Sequence, residues 1–110
     1  MLTIDIKQEN GHDILLLQGE VDASNSVILD EAITRAVDNG SSSILIDGRG
    51  LEYISSAGLG VFMSYLEDFQ EKEIELKIYA LSERVYEVFR ILGLDQLMKI
   101  YPDKKTALNS

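Results

Sequence analysis

The chain has no cysteine, a single histidine, and only ten basic residues against nineteen acidic ones. Without cysteine, a disulfide framework and a thiolate metal site are both excluded. The net charge of −9 argues against non-specific nucleic-acid binding, which needs clustered lysine and arginine to neutralise phosphates. No apolar run approaches the roughly 20 residues of a membrane helix, and the N-terminus lacks the features of a signal peptide. These absences predict a cytoplasmic protein that binds neither nucleic acid nor membranes.

Motifs for cofactors and catalysis are missing as well. No Gly-x-Gly-x-x-Gly run follows a predicted strand, and no Gly-Lys-Ser/Thr phosphate loop is present. A serine hydrolase that used Ser56 would need a histidine to activate the hydroxyl. The sole candidate, His12, directly follows a predicted hairpin turn and has no reason to approach Ser56. We therefore expect no enzyme activity, no cofactor and no metal site.

The length of 110 residues predicts one domain spanning residues 1–110. Alternation of apolar and polar residues from Leu2 to Lys7, the Asn10-Gly11 pair and an apolar run at 14–17 predict an N-terminal hairpin, with the second strand broken at Gly19. Strand patterns then alternate with helix patterns. This order predicts an α/β sandwich in which a small mixed sheet packs with about four helices, on one face or on both.

The boundaries of the later elements follow from stop and cap signals. The first helix ends at Asn39-Gly40, and Asp47 closes the third strand after residues 44–46. Ser82 caps a helix that buries Leu92 and stops at Gly93. A last strand at 97–101 ends before Pro102 and precedes a short turn capped by Asp103.

The stretch from Ile44 to Phe62 carries the strongest functional signal. A buried strand, a glycine-containing turn and a helix start place Ser55 and Ser56 at a helix N-terminus, where free N–H groups and the helix dipole favour an anion. A serine there is either an N-cap, which accepts a hydrogen bond from a backbone N–H, or a hydroxyl that carries a phosphate. One residue could do both.

Two acidic residues near this stretch also have two interpretations. Asp47 is either a turn former ahead of Gly48 or a functional carboxylate at the carboxyl end of a parallel strand. Asp22 lies in a segment of capping residues that also contains Ser24 and Asn25. It either initiates the first helix or provides an acidic neighbour to the serine pair.

The helix after Ser56 has two apolar faces. At about 100° per residue one face, predicted to be buried, comprises Leu59, Phe62, Met63, Leu66 and Phe69. The other face carries small and apolar residues, namely Gly58, Val61 and Tyr65 with Ala57 and Ser64 beside them. Such residues on an outward face indicate a contact surface, unless a loop or another helix covers them.

The order Asp47, then Y-I-S-S-A-G-L-G at residues 53–60, resembles the signature of STAS domains, in particular of the bacterial anti-sigma factor antagonists. The segment G-E-V-D at residues 19–22 resembles a second recurrent signature of that family. The resemblance implies a small mixed sheet with helices mostly on one side. It also implies that the loop at Asp22 lies close to the loop at Ser56.

The family's phosphoserine corresponds to Ser56 when the chain is aligned on its Gly58-Leu59-Gly60 run. The preceding residue in the family is usually aspartate, so Ser55 is the alternative phosphorylation site here. The helix spacing and the resemblance together predict eight partner-binding residues, namely Asp22, Ser24, Asp47, Ser55, Ala57, Gly58, Val61 and Tyr65.

The implied function is that of an anti-sigma factor antagonist. Its unphosphorylated form would bind an anti-sigma factor serine kinase of the GHKL type, which brings its own ATP and Mg²⁺, and would release the sigma factor. Phosphorylation on Ser56 would end binding, and a PP2C-type phosphatase would reset the switch. The alternative is a STAS scaffold subunit of a signalling or lipid-transport complex that does not switch. Nothing in the sequence demands an oligomer, so we expect a monomer.

Overall fold

Five strands form one mixed sheet in the spatial order in which they occur in the chain. The computed structural model describes all 110 residues. The strands are β1 (Leu2–Glu9), β2 (His12–Val21), β3 (Ser43–Ile54), β4 (Glu75–Tyr79) and β5 (Lys99–Tyr101). β1 is antiparallel to β2, and each later strand is parallel to its neighbour. The carboxyl ends of β2 to β5 therefore meet at one edge of the sheet.

Four helices pack on this sheet, three on one face and one on the other. They are α1 (Ser26–Asp38), α2 (Ser56–Lys72), α3 (Glu83–Ile91) and α4 (Lys104–Leu108), with a single 3-10 turn at Leu94–Gln96. α1, α2 and α3 enclose a main core of 21 buried residues. α4 covers a second, smaller cluster formed by Ile14, Leu45, Tyr79 and Ala107. The predicted α/β sandwich is confirmed. No helix combines the length and the apolar character that crossing a bilayer would require.

The N-terminal hairpin forms where the sequence predicts it. Asn10 and Gly11 both have positive φ angles, 50° and 83°, as a two-residue hairpin turn that matches the twist of its strands requires.

Two predicted strand ends were wrong. β2 continues past Gly19 to Val21, and β3 continues past Asp47 to Ile54, because the two strands pair in parallel with small irregularities as far as Val21 and Ile54. Gly50 does not mark a turn here. A Cβ at that position would lie 2.7 Å from the carbonyl oxygen of Leu17, so glycine permits a close approach of the two strands.

The C-terminal third also differs from the sequence prediction. Leu92 caps the end of α3 and is 57% exposed, because Gly93 turns the chain in a left-handed conformation at that point. Leu94 and Met98 are buried instead, and Leu97 is exposed. The last strand accordingly begins at Lys99. The cap at Asp103 is confirmed, since its carboxylate accepts a hydrogen bond from the Thr106 N–H.

Candidate functional site

The two serines at the start of α2 have different environments. Ser55 is the N-cap, and its half-buried hydroxyl oxygen accepts a hydrogen bond from the Gly58 N–H at 3.4 Å. Ser56 is the first residue of α2 and is exposed. The helix start therefore presents the Ser56 hydroxyl to solvent, while the Ser55 hydroxyl has a structural partner.

The loop after β2 lies directly beside this helix start. The Ser55 N–H donates a hydrogen bond to the Val21 carbonyl oxygen at 2.9 Å, at the point where the parallel ladder of β2 and β3 ends. Asp22 follows Val21 in the chain. This hydrogen bond brings the loop at Asp22 close to the loop at Ser56, as expected.

Gly58 holds the first turn of α2 close to the strand ends. A Cβ at this position would lie 2.6 Å from Val21 Cγ1 and 2.7 Å from Ile54 Cγ1. Gly58 is buried. Its prediction as part of an outward contact face is wrong, because the residue faces the sheet.

Asp22 organises its own loop and is charged at neutral pH. Its Oδ1 accepts hydrogen bonds from the Ser24 N–H at 2.9 Å and from the Ser24 hydroxyl at 2.5 Å. Both bonds hold the pKa of Asp22 below its ordinary value, and the bond from the Ser24 hydroxyl has the larger effect. The Asn25 Oδ1 accepts from the Asp22 N–H at 2.9 Å. The loop therefore presents a fixed carboxylate, with Ser24 exposed next to it.

The Val61 and Tyr65 side of α2 packs against α1 and the core. Tyr65 donates a hydrogen bond to Asp30 Oδ1 at 2.5 Å and lies 2.7 Å from the hydroxyl oxygen of Thr34. Burial, and then the Asp30 carboxylate, raise the pKa of Tyr65. Val61 is half-buried against the main core. These contacts correct the prediction of an outward face, and the alternative that another helix covers it is the one observed.

The exposed stripe of α2 contains Gly60 and Met63, which were not predicted to lie on a contact surface. Gly60 and Met63 lie within about 40° of Ser56 on the helix surface. Met63, predicted to be in the core, is 48% exposed, and nothing lies within 4 Å of a Cβ built on Gly60. Ala57 is half-buried at the margin of this stripe. Gly60 and Met63 lie four and seven residues after Ser56, a spacing that places residues on the same face of a helix. This spacing could have identified them as neighbours of Ser56.

Asp47 does not belong to this surface. It is 9% exposed and lies on the sheet face that α4 covers. Its Oδ2 accepts a hydrogen bond from the Tyr79 hydroxyl at 3.3 Å, and its Oδ1 accepts from the Arg49 N–H at 3.0 Å. The predicted role of the Asp47 side chain in partner binding is therefore corrected to a structural one.

His12 lies at the opposite edge of the sheet from Ser56. It begins β2, and its Nδ1 is 2.7 Å from the hydroxyl oxygen of Ser43 at the start of β3. Ser56 follows the far end of β3. The imidazole therefore cannot act as a base for the Ser56 hydroxyl.

Comparison with known proteins identifies similar chains. A family model described as STAS domain matches residues 3–107. The anti-sigma-B factor antagonist of Listeria monocytogenes is 29% identical over 100 residues, which cover 90% of this chain and 88% of the relative. The anti-sigma-B factor antagonist of Staphylococcus aureus is 32% identical over 82 residues, which cover 74% and 76% of the two chains.

Solved structures show the same fold. The anti-sigma factor antagonist SpoIIAA in its unphosphorylated form has a TM-score of 0.80 at 18% identity, with 97% of this chain and 94% of that chain covered. The phosphorylated form of Bacillus SpoIIAA has a TM-score of 0.71 at 17% identity, with 97% of each chain covered. At these identities the likeness establishes the arrangement of helices and strands.

Proposed function

The chain belongs to the STAS domain family, and we propose that it is an anti-sigma factor antagonist switched by phosphorylation of Ser56. In its unmodified form it binds an anti-sigma factor serine kinase of the GHKL type, and this binding releases the sigma factor that the kinase holds. The names of the relatives from Listeria and Staphylococcus support the antagonist role. The existence of SpoIIAA in phosphorylated and unphosphorylated forms supports the switch.

The observation that carries this proposal is the exposure of Ser56 at the first position of α2. The hydroxyl lies at the positive end of a 17-residue helix, beside the loop that carries the ionised Asp22. Ser55 is the weaker candidate, because its hydroxyl oxygen accepts the capping hydrogen bond from Gly58. The docking surface therefore comprises the Asp22–Ser24 loop and the exposed stripe of α2 formed by Ser56, Gly60 and Met63.

Phosphorylation of Ser56 leaves the fold intact and changes only the surface. A phosphate adds a charge of about −2 at a helix N-terminus, where the dipole stabilises it by about 0.3–1 kcal/mol. The phosphate also adds bulk and charge repulsion to a surface that is complementary to the partner when Ser56 is unmodified. A poorly paired charge at an interface costs about 3–4 kcal/mol, which corresponds to two to three decades in affinity.

The partner supplies the chemistry of the switch. The kinase brings ATP and Mg²⁺ and transfers the γ-phosphoryl group to Ser56, and a PP2C-type phosphatase removes it. This chain contributes the acceptor hydroxyl and the docking surface, and it is not itself an enzyme. His12, the one histidine, lies at the other edge of the sheet.

Three variants test the proposal with purified kinase. Ser56→Asp should keep the fold and weaken binding by two to three decades, whereas Ser56→Ala should bind normally and accept no phosphate. Ser42→Asp is the matched control, because Ser42 is exposed at the amino end of β3, away from Ser56. It adds the same charge and should leave affinity unchanged.

Two outcomes would count against the switch. Phosphorylation that persists on Ser56→Ala would move the site to Ser55. Binding without any phosphorylation of the wild-type chain would favour the second candidate, a scaffold subunit that does not switch. The serine at position 55, where the family usually has aspartate, is the feature that keeps this second candidate in consideration.

A further inference from the structure

The outer edge of β1 is a free strand edge. β1 is the first strand in the sheet and pairs on one side only, with β2. It is eight residues long, contains no proline, and pairs with β2 in an uninterrupted register. The outward N–H and C=O groups of such a strand can form a ladder with another strand.

A mainly apolar groove runs beside this edge on the face that α1 covers. Ile4 and Ile6 of β1 and Ile28 and Ala32 of α1 line this groove of about 170 Å³, and Glu31 and Arg35 of α1 complete its lining. Ile6 and Ile28 are each 43% exposed. Apolar side chains beside an unpaired edge add buried area to any strand that pairs there.

The charges on β1 identify the strand that fits. Asp5 and Lys7 lie on either side of Ile6 and point to the opposite face of the sheet. We propose that two copies of this chain associate through antiparallel pairing of their β1 strands, with Ile6 opposite Ile6 of the second copy. In this register Asp5 of each copy lies opposite Lys7 of the other, so two pairs of opposite charge form across the two-fold axis.

Neighbouring symmetric registers are disfavoured by like charges. Pairing centred on Asp5 would place Asp5 opposite its own counterpart. Pairing centred on Lys7 would place Lys7 opposite its counterpart and Asp5 opposite Glu9. Like charges directly opposite each other in an antiparallel pair are destabilising. The charge pattern of β1 is therefore complementary to itself in the register centred on Ile6.

This proposed self-association differs from the expectation of a monomer and is independent of the proposed switch. The outer edge of β1 lies at one side of the sheet, whereas Ser56 follows the carboxyl end of the central strand β3. Pairing of the two β1 edges therefore does not involve Ser56.

Analytical ultracentrifugation of two charge variants tests the proposal. Asp5→Lys gives a strand with lysine at positions 5 and 7, and Lys7→Asp gives one with aspartate at both positions. Each variant alone should associate at least about tenfold more weakly than the wild type, because two like-charged pairs replace two opposite ones. An equimolar mixture should associate at least as well as the wild type, because opposite charges then meet again.

The mixture also controls for misfolding, since a chain that fails to fold would not recover association. Glu71→Lys, an exposed charge reversal on α2, is the matched control and should leave dimerisation unimpaired. The wild-type chain should show a concentration-dependent dimer in the high-micromolar range. A wild-type chain that stays monomeric at about 1 mM, or a mixture no better than either variant alone, would overturn the proposal.

Discussion

Replacing Gly58 with alanine should destabilise the fold, because the first turn of α2 lies directly on the ends of β2 and β3. The added Cβ would lie 2.6 Å from Val21 Cγ1 and 2.7 Å from Ile54 Cγ1. Both neighbours are at most 1% exposed, so neither side chain can rotate into solvent. Overpacking of this kind costs about 1–3 kcal/mol, and the helix propensity of alanine returns at most about 1 kcal/mol. We expect a net loss of up to about 2 kcal/mol in the free energy of unfolding.

Gly60→Ala is the matched control two residues further along α2. No atom lies within 4 Å of the added Cβ, so this variant should gain about 0.5–1 kcal/mol from the lower backbone entropy of its unfolded chain. Urea unfolding followed by circular dichroism measures both variants, provided that their m-values agree. The two changes should have opposite signs. A Gly58→Ala variant as stable as Gly60→Ala would refute the close packing of α2 on the strand ends.

Two further predictions concern titrating groups. Burial, and then the Asp47 carboxylate, raise the pKa of Tyr79 from 10.0 to about 12. The folded state therefore favours the neutral phenol. The stability that this preference provides is fully present below the pKa of Tyr79 in the unfolded chain, and it is lost as the pH rises from 10 to about 12. Unfolding curves of Tyr79→Phe should show a smaller loss across this range, because the raised pKa of Tyr65 still contributes to it. A loss equal to that of the wild type would assign it to groups other than Tyr79. Ser24→Ala should raise the pKa of Asp22 towards its ordinary value, as measured by NMR of the carboxyl carbon. An unchanged pKa would show that the Ser24 hydroxyl does not cause the lowering.

Local signals in the sequence predicted the elements that depend on local physics. The Asn10-Gly11 turn needs two positive φ angles, which this residue pair adopts readily. The caps at Ser82 and Asp103 accept hydrogen bonds three residues ahead of themselves, a geometry that depends on neighbouring residues alone. The alternation of strands and helices was sufficient to predict the class of fold.

Features that depend on tertiary packing were the ones missed. The sequence predicts a strand end at Asp47 and Gly48, but β3 continues past this point because its pairing with β2 extends to Ile54, whereas its pairing with β4 ends at Asp47. Spacing correctly predicted Leu59, Phe62 and Phe69 as buried residues of α2, but it could not show that the opposite face is covered too. That depends on the position of α1, which supplies Asp30 and Thr34 to the hydroxyl of Tyr65 and leaves Met63 exposed.

The central claim is that one exposed hydroxyl, on Ser56, controls binding to the anti-sigma factor. Its most direct test is the affinity of the purified kinase for this chain before and after complete phosphorylation, with the modified residue mapped by mass spectrometry. We expect a single phosphate on Ser56, an unchanged circular dichroism spectrum and an affinity lower by about two to three decades. A phosphate on another residue, or equal affinity of the two forms, would contradict it.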